Sequence, residues 1–160
     1  MKTGIYPGTF DPITNGHIDI IIRSTMIFDK VVVAVTTNLN KSPLFTVAER
    51  IEMIKESTKS IAHIEVESFD ELLVNYARRK KASALIRGLR ATSDFEYEFQ
   101  MALMNSKLSR ELITVFLMPN EKYTYLNSTI VKEVARLGGS VECFVSKFVE
   151  EKLKQKINGV

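Results

Sequence analysis

Short apolar, β-branched runs alternate along this chain with stretches whose apolar positions recur every three or four residues. The first kind of pattern reads as strands at residues 2–6, 31–36, 64–69, 84–87 and 113–118. The second reads as helices at 16–28, 46–59, 70–80, 94–108, 128–137 and 146–157. The run Val31-Val32-Val33-Ala34-Val35-Thr36 has no polar alternation, as expected of a strand covered on both faces. Thr46-Val47-Ala48-Glu49 has the form of a capping box, and Gly138-Gly139 closes the fifth helix. The order is βα five times over, with one more helix at the end. It predicts an α/β fold, a five-stranded parallel sheet with helices on both faces, in a single domain over residues 1–160. In such folds ligands sit beyond the carboxyl ends of the strands, where the strand order switches.

That rule gathers the polar loops. The segment Gly8–His17 follows the first strand, Asn38-Leu39-Asn40-Lys41 the second, Arg87-Gly88-Leu89-Arg90 the fourth and residues 123–129 the fifth. All four are expected at one edge of the sheet.

Composition narrows the function. With 160 residues, 45% hydrophobic and 26% charged, the chain can bury a real core. A formal net charge of +3 gives no field that would argue for nucleic acid. The single cysteine, Cys143, excludes an internal disulfide or a cysteine-rich zinc module and reads as a small core residue. No apolar run has the length of a membrane span and no secretory pattern opens the chain, so a cytoplasmic setting is expected. His63 has no partner at metal-ligand spacing and reads as a surface or strand-edge residue. The Arg78-Arg79-Lys80-Lys81 run reads as a helix end complementing its dipole. Phe95, Phe99, Met101, Ala102, Leu103 and Met104 cover more than one face of the fourth helix, which predicts burial against another subunit.

Neither a G-x-x-x-x-G-K-[ST] loop nor a G-x-G-x-x-G turn is present, which disfavours P-loop ATPases and dinucleotide oxidoreductases. After the first strand stands Tyr6-Pro7-Gly8-Thr9-Phe10-Asp11-Pro12-Ile13-Thr14-Asn15-Gly16-His17. A histidine in the first turn of a helix capped by Thr14 or Asn15 lies beside unsatisfied N–H groups, where phosphates bind. Gly16 would let a ligand approach that helix end, and Thr9 offers a hydroxyl. Arg87 and Arg90 supply guanidinium forks suited to phosphate oxygens. Hydroxyls at 123–129 could either hold phosphate oxygens or simply cap the helix that follows. This set is rich in cations and hydroxyls and offers no credible nucleophile. Such a set suits positioning phosphates and stabilising charge on them rather than attacking them covalently.

The form T-x-G-H at Thr14–His17, joined to Gly8-Thr9-Phe10-Asp11-Pro12, resembles the signature of the adenylyltransferase and cytidylyltransferase superfamily. Leu85-Ile86-Arg87-Gly88-Leu89-Arg90 and Asp94-Phe95-Glu96-Tyr97-Glu98 narrow the likeness to the bacterial phosphopantetheine adenylyltransferases. Phe116-Leu117-Met118-Pro119 and Val131-Lys132-Glu133-Val134-Ala135-Arg136 complete it, from Gly4 to about Val149. The resemblance implies a Rossmann-like nucleotidyltransferase fold. It implies transfer of the adenylyl group of ATP to 4′-phosphopantetheine, giving 3′-dephospho-coenzyme A and pyrophosphate. It also implies magnesium carried mainly on the ATP phosphates, coenzyme A as a feedback inhibitor and a homohexamer. His17, Lys41 and Arg90 would be catalytic. Thr9, Phe10, His17, Gly88, Leu89, Arg90, Glu98, Tyr123, Thr124, Tyr125, Leu126, Asn127, Ser128 and Thr129 would hold ATP. Thr9, Lys41, Leu73 and Arg87 would line the phosphopantetheine site. Asn127-Ser128-Thr129 departs from the family's serine triplet, and the Lys- and Glu-rich C-terminal helix matches poorly. Two other readings stand beside this one: the same fold with another acceptor, and a silent nucleotide-sensing or scaffold protein. Arg87 to Arg90 argues against the first, and the intact His17, Lys41 and Arg87 set against the second.

Overall fold

In the computed structural model, residues 1–37, 42–90 and 92–159 are described. The five strands are β1 (Thr3–Gly8), β2 (Lys30–Thr36), β3 (Ile64–Phe69), β4 (Ala84–Gly88) and β5 (Ile113–Leu117). The helices are α1 (Asn15–Thr25), α2 (Val47–Thr58), α3 (Leu73–Arg79), α4 (Thr92–Leu108), α5 (Ser128–Arg136) and α6 (Lys147–Asn158). All strand pairs are parallel, in the order β3-β2-β1-β4-β5. The order reverses direction at β1, so the switch point lies between β1 and β4.

The pleat divides β2 between two cores. Val31, Val33 and Val35 face the larger one, with Ile20 and Ile21 of α1, Met53 and Ile54 of α2, Val131 of α5 and Val149 and Leu153 of α6. Val32 and Ala34 face the smaller one, with Val74, Tyr76 and Ala77 of α3. A strand covered on both faces needs apolar residues at every position, which is what its sequence provides.

β1 runs through Pro7, although proline ordinarily interrupts a central strand. The explanation is local. β1 pairs with β4 only at Gly4–Ala84 and Ile5–Leu85. Beyond Ile5 the two strands part, and no ladder bond on that side needs an N–H from Pro7. The Arg87 side chain enters the gap instead, its Nη1 donating to the Pro7 carbonyl at 3.2 Å. The missing N–H and the parting of the strands therefore coincide at the switch point.

Thr46 caps α2 with the expected capping box, Glu49 returning a carboxylate to the Thr46 N–H at 2.7 Å. α3 begins at Leu73, three residues later than the periodicity suggests, and lacks a side-chain cap. Gly138, at φ 78°, takes the left-handed conformation after α5 that favours glycine. Cys143 is exposed, not in the core: Val141 and Val145 on either side are buried, and the turn carrying Cys143 lies outward between them. His63 is on the surface, as expected. Among the described residues no helix is long and apolar enough to cross a membrane.

Candidate active site

A cavity of about 330 Å³ opens at the switch point. Its walls come from the loop after β1, the end of β4, the start of α5, and Ser42 and Pro43 ahead of α2. Thr9, Phe10, Gly16, His17, Arg87, Gly88, Arg90, Glu98, Tyr123, Leu126, Asn127, Ser128 and Thr129 line it, so most of the residues singled out in the sequence converge here. Four do not reach it. Leu89 continues the ladder to β5 through its N–H on the Leu117 carbonyl. Thr124 turns its hydroxyl back to Glu121, and Tyr125 is exposed against Phe144. Leu73 packs on the α3 core. Lys41 lies outside the described residues.

His17 is both cap and candidate donor. Thr14 is the N-cap of α1, and His17 occupies the position where a capping box usually has glutamate. The Thr14 backbone N–H donates to His17 Nδ1 at 3.0 Å. A backbone amide can only donate, so Nδ1 carries the lone pair and Nε2 the proton. Phe10 packs edge-on against the imidazole with centroids 5.2 Å apart. Burial, with help from the positive charge of Arg90, pushes the His17 pKa down to about 4. The ring is therefore a neutral Nε2–H donor at ordinary pH.

That shift has a consequence for stability. The unfolded chain protonates this imidazole near 6.5 and the native one only near 4. The His17 contribution is complete above pH 6.5 and is lost as pH falls towards 4, by about 3 kcal/mol at most. Urea unfolding at pH 7 and pH 4.5 should show this loss in the parent and a smaller one in His17→Gln. Equal losses would overturn it.

Arg87 is not an isolated cation. Its Nε lies 2.5 Å from Glu98 Oε2, and Nη2 pairs with the other carboxylate oxygen. Burial opposes the guanidinium charge, but Glu98 more than offsets it and raises the pKa. Arg90 Nη1 donates to the Leu126 carbonyl at 3.1 Å, tying the end of β4 to the segment before α5. Tyr6, buried beside these groups, has its phenol pKa raised by burial and stays protonated.

Asn127 caps α5 through its amide oxygen, which accepts from the Ile130 N–H at 2.9 Å. The capping reading of this segment therefore holds, and the helix start faces the cavity all the same. Ser128 donates to the Pro12 carbonyl at 2.8 Å. A notional Cβ on Gly16 would stand 3.5 Å from Tyr123 Cβ and 3.6 Å from Thr14 Oγ1, in ordinary contact, at a residue that lines the cavity. At Gly8 a Cβ would stand 2.9 Å from the Phe10 ring, so glycine is what lets that ring lie down on the strand end.

Three residues of this site were not singled out as functional in the sequence. Asp11, buried, accepts from the Leu44 N–H at 2.9 Å and the Phe45 N–H at 2.8 Å. It also takes the ammonium of Lys132 at 2.6 Å, and Lys132 lines the cavity. Arg50 is buried behind the loop after β1. Among the described lining residues, three cationic side chains (Arg87, Arg90, Lys132) face two carboxylates (Asp11, Glu98). The cavity can thus receive an anion-rich ligand, and it offers donors rather than a nucleophile.

The model of the cytidylyltransferase-like family matches residues 5–134. The phosphopantetheine adenylyltransferase of Caldanaerobacter subterraneus subsp. tengcongensis is 56% identical over 156 residues, spanning 98% of each chain. That of Alkaliphilus metalliredigens is 55% identical, over 98% of this chain and 99% of its own. Among solved structures, one from Vibrio parahaemolyticus described as a nicotinate-nucleotide adenylyltransferase superposes with a TM-score of 0.66. It covers 96% of this chain and 99% of its own at 19% identity, a likeness of fold. A nucleotidyltransferase fold, a donor-lined cavity at its switch point and full-length identity above one half lead to one assignment: this chain is an enzyme of the cytidylyltransferase-like family and belongs to its phosphopantetheine adenylyltransferases.

Proposed function

We propose that this chain transfers the adenylyl group of ATP to the phosphate of 4′-phosphopantetheine, releasing pyrophosphate and forming 3′-dephospho-coenzyme A. One observation of geometry carries the reading. A neutral imidazole, fixed by the Thr14 N–H as an Nε2–H donor, shares one cavity with two guanidinium groups and a helix start. The acceptor phosphate is mostly dianionic at neutral pH and needs no base. Its oxygen attacks the α-phosphorus of ATP as the bond to the pyrophosphate oxygen breaks. His17 Nε2–H then meets the charge that grows on the α-phosphate, and Arg90 and the N-terminus of α5 hold the departing phosphates. Thr9, in the cavity lining, would contact ATP close to the acceptor phosphate. Lys41 completes the set by resemblance, and Leu89, Thr124 and Tyr125 would reach ATP only through its outer parts or backbone contacts.

The donor set suits magnesium carried on the nucleotide. The cavity's two carboxylates are already engaged by Arg87 and Lys132, and hydroxyls and amides make up the rest. A magnesium ion there would keep its waters and bind phosphate oxygens, neutralising charge on the triphosphate. Coenzyme A, which shares the product's body, would compete for the same cavity, in a cytoplasmic setting.

Pyrophosphate release tests the reading. Release from ATP with 4′-phosphopantetheine, and not with nicotinate or nicotinamide mononucleotide, is expected. Release only with a mononucleotide acceptor, or with CTP and a phospho-alcohol, would replace it. Arg87→Ala should raise the acceptor KM by about ten- to a hundredfold, the worth of a charge-assisted bidentate contact, with a smaller change for ATP. An unchanged acceptor KM would remove Arg87 from that site.

The reading includes a homo-oligomer, a hexamer by resemblance. Phe95, Phe99, Leu103 and Met104 of α4 are exposed on a single chain, and Phe95 stacks on Phe99 at 5.6 Å. Such an apolar surface supports burial by another copy. Light scattering at micromolar concentration should give a multiple of the chain mass; a monomer would overturn this.

A further inference from the structure

Arg50 is a buried charge for which the proposed chemistry has no use. Its side chain projects from the apolar side of α2, and the residue is 2% exposed. Its partners are four backbone carbonyls. Nε donates to Phe45 at 3.1 Å and Thr46 at 3.4 Å, and Nη1 to Thr9 at 2.7 Å and Thr36 at 3.1 Å. One guanidinium thus joins the loop after β1, the last residue of β2 and the start of α2. Asp11 makes the reciprocal link, an anion on the loop taking the N–H groups of Leu44 and Phe45. Opposite charges on opposite segments bind the same two stretches of backbone.

The Thr9 carbonyl is the informative partner. The peptide joining Thr9 to Phe10 is trans, so its C=O and N–H point in opposite directions. With the carbonyl held against Arg50, the Phe10 N–H faces away from α2. Among the described residues it has no protein acceptor, and Thr9 and Phe10 both line the cavity. Phe10 itself stands at φ 50°, a left-handed conformation that costs a non-glycine residue about 1–3 kcal/mol unless its surroundings impose it. The Arg50 fork is part of what imposes it, together with the ring lying on Gly8.

We infer that Arg50 is a positioning residue for adenylyl transfer: by holding the Thr9 carbonyl it presents the Phe10 N–H to a phosphate of the bound nucleotide. The inference rests on the adenylyltransferase reading and extends it to a residue that touches no substrate. Lysine cannot replace this fork, because a single ammonium cannot reproduce the set of carbonyl contacts that Nε and Nη1 make on three segments.

The test is steady-state kinetics of Arg50→Lys and Arg50→Met, assayed where circular dichroism shows each folded. The expected result is an ATP-side defect of about tenfold or more in kcat/KM for ATP, the worth of one lost phosphate contact, with acceptor KM within about twofold. A role in the fold alone would lower the melting temperature and leave ATP kinetics of the folded enzyme unchanged. Should Arg50→Met not fold, Arg50→Lys keeps the charge and decides the matter. ATP kinetics like the parent's in a folded variant, a defect confined to acceptor KM, or failure of both variants to fold would each overturn the inference. Parent enzyme that does not turn over ATP with 4′-phosphopantetheine would instead overturn the reading beneath it.

Discussion

Replacing His17 with alanine is expected to lower kcat by about a hundred- to a thousandfold, the usual loss for a donor aimed at transition-state charge, with the ATP KM moving only severalfold. The split follows from geometry. The Nδ1 side of the ring is spent on the Thr14 N–H, and His17 lines the cavity, which leaves Nε2–H as the group that can meet a ligand. A ground-state triphosphate has many other donors there, including Arg90 and the helix start. The extra charge of the pentavalent α-phosphorus appears only as the reaction proceeds, so its donor is felt in kcat. Alanine also removes part of the α1 cap at about 1 kcal/mol, so rates must be measured well below the melting temperature. His17→Gln, whose amide can place an N–H near Nε2, should recover part of the loss. The pH profile supplies an independent check. With the imidazole pKa near 4, the parent's rate should rise as the acceptor phosphate ionises near pH 6 and then level off. A rate falling as pH climbs through 6.5 would mean that imidazolium is the active form, and would sink the neutral-donor mechanism. Equal turnover by His17→Ala would remove the residue altogether.

What the sequence revealed, and what it hid, follows from the range of the interactions involved. Strands and helices came within one to three residues because their signals are local: β-branched runs, a capping box at Thr46, glycines after α5. The convergence of four loops followed from the parallel topology alone. β1 runs two residues past the expected end at residue 6, through Pro7, because proline's tolerance there depends on where β4 leaves β1, some eighty residues away in the chain. Glu98, tied to ATP by resemblance, lines the cavity and also holds Arg87 eleven residues before it, a pairing that no spacing announces. Asp11 was not singled out beyond its loop motif, because its partners Leu44, Phe45 and Lys132 are distant in sequence. Arg50 did leave a trace. Val47, Arg50, Ile51 and Ile54 fall at i, i+3, i+4 and i+7, so a charge sits on the stripe that helix α2 buries. A charged residue on such a stripe must find buried partners, and the nearest candidates were the carbonyls of the loop already under suspicion.

The largest effect on stability is expected at Asp11. Removing its carboxylate leaves two backbone N–H groups without acceptors and the largely buried Lys132 ammonium without its counter-charge, in the cavity wall. Breaking a buried pair from one side costs about 3–5 kcal/mol, because the remaining charge stays desolvated. Asp11→Ala should therefore lose that much in urea unfolding, a large share of a small domain's stability. Lys132→Met should cost less, since Asp11 keeps both N–H donors. Combining the two changes should cost less than their sum, since the double variant has no stranded ammonium; the difference measures the pair's coupling. Asp11→Asn offers a sharper contrast. Its amide can accept one N–H, but its NH₂ would meet the other N–H or the ammonium donor to donor, so most of the loss should persist despite the near-identical shape. A cost below about 1 kcal/mol for Asp11→Ala would mean that water or backbone movement satisfies these groups, and that the carboxylate does not anchor the loop. A large loss in Asp11→Ala with strict additivity to Lys132→Met would place the stabilisation in the two N–H bonds alone. The first outcome would also weaken the reciprocal half of the clamp that Arg50 completes, since a loop needing no anion to hold Leu44 and Phe45 would need less of a cation to hold Thr9.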